Sequence, residues 1–209
     1  MSENNPVQDF VIETKSVAVE KVEKPVKINK TQEKKIQQLL ADLNSSASGK
    51  VTTALDSLQV YGDSSIIFPL FDFLKTSKNE KSKAEVLEFL CNLKDTNSKT
   101  KVMECLNDKN YLSVRIEIMT AIWNCPINFS EYLHDFVKIA VENDYLECLE
   151  CLTIIENLDG PFEEKALFES LLLLKDYHEG KYPKNKEKDV LISEIALLIK
   201  DFDRDTDED

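Results

Sequence analysis

The chain has 209 residues, among them only 4 Gly and 6 Pro, and its 39 acidic against 26 basic residues leave a net charge of −13. So few turn formers argue against β architectures, whose hairpins need Gly or Asn at positive φ, and favour helices rich in Lys, Glu, Leu and Ile. An acidic balance lacks the basic stripe that neutralises phosphates, which sets nucleic acid aside as a partner, and no run approaches the roughly 18 apolar residues of a membrane span.

Residues 1–30 carry five Lys and five acids and are neutral. Pro6, Pro25 and the stretches Phe10-Val11-Ile12 and Val17-Ala18-Val19 give no helical period. The segment reads as a disordered leader, or as a short extended stretch that docks through Phe10, Val11 and Ile12. The start MSENNPVQDF has no charged opening before an apolar run, so no signal peptide is expected and the cytoplasm is the expected location. Five cysteines, Cys91, Cys105, Cys125, Cys148 and Cys151, sit inside apolar helical patterns, as small buried hydrophobes do in reducing compartments.

From Thr31 onward an internal repeat emerges. Four positions at i, i+1, i+4, i+7 form one apolar helical stripe in Ala54, Leu55, Leu58 and Tyr61. The stripe returns as Val86, Leu87, Leu90, Leu93, then as Ile118, Met119, Ile122, Cys125 and as Cys151, Leu152, Ile155, Leu158. A last copy is Leu191, Ile192, Ile195, Leu198. All these positions are apolar in a chain that is 42% apolar, a coincidence on the order of 10⁻⁸ by chance.

A second helix, patterned i, i+3, i+4, i+7, is expected between the copies. It reads Ile67, Leu70, Phe71, Leu74; Lys99, Val102, Met103, Leu106; Leu133, Phe136, Val137, Ala140; and Glu164, Leu167, Phe168, Leu171. Upstream, Ile36, Leu39, Leu40 and Leu43 form the second half of an incomplete first repeat, an N-terminal cap. The connectors Gly62-Asp63-Ser64-Ser65, Lys94-Asp95-Thr96-Asn97, Asn124-Cys125-Pro126 and Leu158-Asp159-Gly160-Pro161 each offer a helix stop and then a cap or Pro. His178–Lys186 is the one long insertion. Residues 201–209 close the chain as an acidic tail, one Arg against six acids.

Gly62-Asp63 followed by Ile67-Phe68-Pro69-Leu70, and Leu112-Ser113-Val114-Arg115 soon after Asn107-Asp108, are similar to the loop and the Val-Arg lead-in of short HEAT repeats, the form shared with phycobilisome-lyase-type repeats. The resemblance spans residues 31–200 and implies an all-α fold, a right-handed α-solenoid of four to five stacked antiparallel helix pairs. Only one copy keeps the Val-Arg pair; Val51, Lys83 and Cys148 stand where Arg115 would recur. The family hosts scaffolds, adaptors and a few enzymes, so function has to come from the residues.

Catalytic groupings are not expected. Cys148 and Cys151 share a helix face without the further ligands that zinc would need. His134-Asp135 and His178-Glu179 are too few for a di-iron site. The alternating Asp201–Asp209 lacks the Gly and the Glu of a calcium loop. Trp123, without a Lys/Arg stripe, does not make a glycosylase. No metal and no cofactor are expected.

The expected function is therefore non-catalytic: a protein-protein scaffold or adaptor holding a partner segment, possibly basic, on the face of the second helices. The residues proposed for that face are Phe68, Asp72, Phe73, Lys101, Glu104, Tyr132 and Asp135, which offer aromatic anchors among mixed charges. The alternative is an accessory lyase or chaperone of a cofactor-bearing protein, for which Cys91 or Cys125 would be the nucleophile.

Overall fold

A computed structural model describes residues 30–206 apart from Asn44, Ser46 and Ala47. The expectations for the leader and for the last three residues of the tail lie outside the described residues. The described chain is all-helical. Its helices are α1 (Lys30–Leu43), α2 (Ser48–Tyr61), α3 (Ile67–Thr76), α4 (Glu80–Cys91), α5 (Lys99–Asn107), α6 (Arg115–Asn124), α7 (Leu133–Glu142), α8 (Tyr145–Glu156), α9 (Glu164–His178) and α10 (Lys186–Thr206).

Short polar side chains start the helices by accepting otherwise unpaired N–H groups. Asn79 takes the Ser82 N–H at 3.3 Å and Asp144 the Glu147 N–H at 3.1 Å. At the α2–α3, α4–α5 and α6–α7 connections the same device recurs two residues apart. Asp63 accepts from Ser65, Asp95 from Asn97 and Asn128 from Ser130, at 2.8, 3.0 and 2.9 Å. Each opens a 3₁₀ turn that feeds the next helix. Gly62 follows the last residue of α2, where a Cβ would run into the Leu58 carbonyl oxygen, so this position takes no side chain without moving backbone.

The stripes fix what is buried. Ile67, Leu70, Phe71 and Leu74 of α3, Leu133, Phe136, Val137 and Ala140 of α7, and Ile118, Met119 and Ile122 of α6 all lie in one continuous core. Two patterns of helix contact follow. Helices consecutive in the chain pair as α1–α2, α3–α4, α5–α6, α7–α8 and α9–α10, while α2, α4, α6, α8 and α10 pack successively on one another, as do α1, α3 and α5, and α7 and α9. Polar bonds tie one unit to the next: Thr52 to Glu85 at 3.1 Å, Lys99 to Glu131 at 3.0 Å, Arg115 to Glu147 at 3.2 Å and Trp123 to Glu150 at 3.0 Å.

Three sequence expectations change. The close pairs join each second helix to the first helix after it, so α1 is no lone half-repeat but the partner of α2. The links inside these pairs, such as Asn143-Asp144, are mostly the shorter ones, and a short link holds consecutive helices side by side. In α9 the buried line is Leu167, Ser170, Leu174 and Tyr177, and Phe168 is 68% exposed. The run of four leucines at 171–174 covers every side of a helical turn, so periodicity could not choose the face. Finally, α10 continues into the acidic segment, where Phe202 stacks on Phe162 with centroids 4.3 Å apart.

Leu90 is fully buried, and Leu90→Ala should cost about 2–5 kcal/mol in urea unfolding. Val60→Ala, at a position 72% exposed, should stay within about 0.5 kcal/mol of wild type.

Candidate functional site

The seven residues expected on one face are divided by the fold. On α3, Pro69, Asp72, Phe73 and Thr76 face Leu40, Ala41 and Leu43 of α1 across an open groove of about 660 Å³. Polar and apolar surface face it in about equal measure, and Asp72 stands exposed at the rim. Phe73 is only 6% exposed, so it belongs to the wall and is not a free anchor.

Phe68 turns to the other flank of α3, where Tyr111 covers it with ring centroids 6.4 Å apart. Tyr111 sits in the 3₁₀ segment Lys109–Val114. Burial, with the Asp72 carboxylate beside it, pushes its pKa up to about 12. Lys75 completes the cluster, its Nζ 3.4 Å from Asp72 and 4.8 Å from the Tyr111 ring centroid. The sequence read this segment only as the lead-in to α6, so the cover over α3 was not foreseen.

The remaining candidates lie on later helices. Lys101 is half-buried and Glu104 exposed on α5. Tyr132 packs its ring 6.4 Å from Phe129, and Asp135 is half-buried in the first turn of α7. Of the seven, only Asp72 and Phe73 line the α1–α3 groove. The exposed aromatic that this row of helices does present is Phe168, with Leu172 one turn on and 47% exposed.

A buried polar cluster escaped the sequence altogether. Lys188 of α10 is 2% exposed and its Nζ donates to the carbonyls of Val141 at 2.9 Å and Asn143 at 2.6 Å, closing the C-terminal end of α7. Burial lowers its pKa. Beside it the fully buried Tyr177 donates its hydroxyl to Asp189 at 2.7 Å and is raised to about 12 by burial and that bond. The signal was present: Lys188 lies one turn before Leu191 and Ile192 on the same stripe, where a long amphipathic side chain can bury its stem.

The thiols are held protonated. Burial raises Cys105 to about 12 and Cys148 to about 11, the latter despite the opposing pull of Lys188. Cys151 lies well above its usual value, and Cys91 and Cys125 are shifted upward, burial being the first cause in each. Among the described residues no group of His, Cys, Asp and Glu is placed to hold a metal ion, and no helix is long and apolar enough to cross a membrane. No family model matches the chain, and no curated protein or solved structure matches it either.

Two outcomes are expected. Lys188→Met leaves two carbonyls at the end of α7 without their donor and should cost about 1–3 kcal/mol in urea unfolding. Thiols raised in the folded state contribute stability that is present below their unfolded pKa of 9 and lost as pH rises through the folded values. Stability should therefore fall from pH 9 toward pH 11, and Cys148→Ala should make that fall shallower in unfolding curves taken at successive pH values.

Proposed function

We propose that the chain is a HEAT-like α-solenoid that serves as a non-catalytic adaptor, holding a segment of a protein partner against the face of its second helices. The helix packing supports the solenoid reading: successive helices of one set stack on each other, and polar bonds recur between residues about one repeat apart. Stacked pairs of this kind expose long surfaces on which partners lie.

The observation that carries the binding reading is the α1–α3 groove, with Leu40 and Phe73 in its walls and Asp72 on its rim. A groove of mixed polar and apolar lining with a carboxylate at the edge suits a partner segment that brings an apolar side chain and a positive charge beside it. The raised thiols weigh against the accessory-lyase alternative, since a nucleophilic cysteine works as thiolate and needs a lowered pKa.

Asp72 and Thr76 are both exposed, so a full-length Asp72→Arg/Thr76→Arg variant should keep the wild-type circular dichroism spectrum. Captured side by side from extract of the source cells and read by mass spectrometry, the partner recovered with wild type should be missing from the variant. Equal recovery of the same proteins by both would remove the groove from the proposal.

A further inference from the structure

The other row of helices carries a second trough, along the seam between α2 and α4. Two open-sided clefts share Gln59, Phe89 and Asn92 in their walls and so adjoin. Their floor is apolar: Leu55 and Leu93 are nearly buried, and Phe89 is half-buried. Their rims are acidic. Asp56, Glu85 and Glu88 line one cleft, Asp63 and Asp95 the other, with Lys94 the one cation on the walls among the described residues.

Much of that charge is uncompensated. Glu85 takes a bond from Thr52 at 3.1 Å and has Lys81 at 3.9 Å, a lysine whose side chain is 72% exposed. Asp56 and Glu88 are exposed and form no ion pair among the described residues. From Thr52 to Gly62 the trough runs about 15 Å at the rise of an α-helix, the reach of about five residues of extended chain. Carboxylates spread over that length exceed the coordination shell of any single metal ion.

We propose that this seam docks an extended segment of another protein that carries Arg or Lys at alternate positions. In an extended chain the residues i, i+2 and i+4 point to one side, which brings successive cations to the carboxylates of both rims. The methylene stems then lie on Leu55 and Leu93, and a guanidinium can stack on the ring of Phe89 while bonding Glu88 or Asp56. This trough and the α1–α3 groove lie in different rows, so either can fail alone.

The test uses a fluorescein-labelled eight-residue peptide alternating Arg with Val, titrated against the full-length protein by fluorescence anisotropy. Asp56→Asn/Glu88→Gln, conservative changes at exposed sites, should raise the dissociation constant at least tenfold with an unchanged circular dichroism spectrum. Glu156→Gln/Glu194→Gln, which removes the same charge at exposed positions of α8 and α10 outside both troughs, should leave it within about twofold. Binding that is equal in wild type and the Asp56/Glu88 variant overturns the proposal. So does equal binding of an isomeric peptide with its arginines in one block, since net charge and not the seam would then select it. Tighter binding, by tenfold or more, after Lys24→Glu/Lys27→Glu in the full chain would also overturn it, because residues 24–30, three Lys without an acid, would then be the occupant.

Discussion

Each helix of this chain buries an apolar stripe too broad for a single neighbour, and that constraint organises the rest of the structure. A helix with its stripe covered on one side alone would leave leucines and isoleucines in water at a cost of about 1.5–3 kcal/mol each. Contact with a following helix in the pair and with another in the row removes that exposure. Val86, Leu90, Ile118, Met119, Cys151 and Ile155 all reach zero exposure in this way. The core is therefore continuous along the chain, and the loss of one large side chain is felt by both neighbouring units.

Polar bonds form where this stacking leaves an edge. Bonds such as Thr52–Glu85 and Arg115–Glu147 tie the rims of neighbouring units, but exposed pairs of this kind contribute only modestly. Arg115–Glu147 is the more enclosed, with side chains 11% and 16% exposed. Away from the edges lie the buried Lys188, whose two carbonyl partners lock α10 onto the end of α7, and the buried Tyr177 hydroxyl on Asp189. The proposed functions use what the packing leaves over: the α1–α3 groove and the acidic α2–α4 seam, two troughs in opposite rows near the N-terminal end of the described chain.

The legible part of the fold rested on repetition. In α3 and α7 every residue of the stripe is buried, and the packing buries Phe73, Ile139 and Val141 beside it. Where apolar residues crowd, as at Leu171–Leu174, the period selects no face, and Phe168 fell on the wrong side. The candidate surface was harder to read. Phe68 and Phe73 stand off the α3 stripe, where periodicity allows either packing or a surface role; α1 packs beside Phe73, and Tyr111, more than forty positions later, packs against Phe68.

By itself the sequence determined the helices, their caps and most of the core, because hydrogen bonding within a helix, capping by Asp and Asn, and apolar periodicity are local and act over a few residues. Which helices pair, which flank of a helix its neighbours cover and where a trough stays open were decided only in the tertiary structure. Those outcomes depend on the lengths of links, on a 3₁₀ segment crossing to a distant helix and on a lysine reaching the end of another. Each is a contact between residues far apart in the chain, and no local pattern records it.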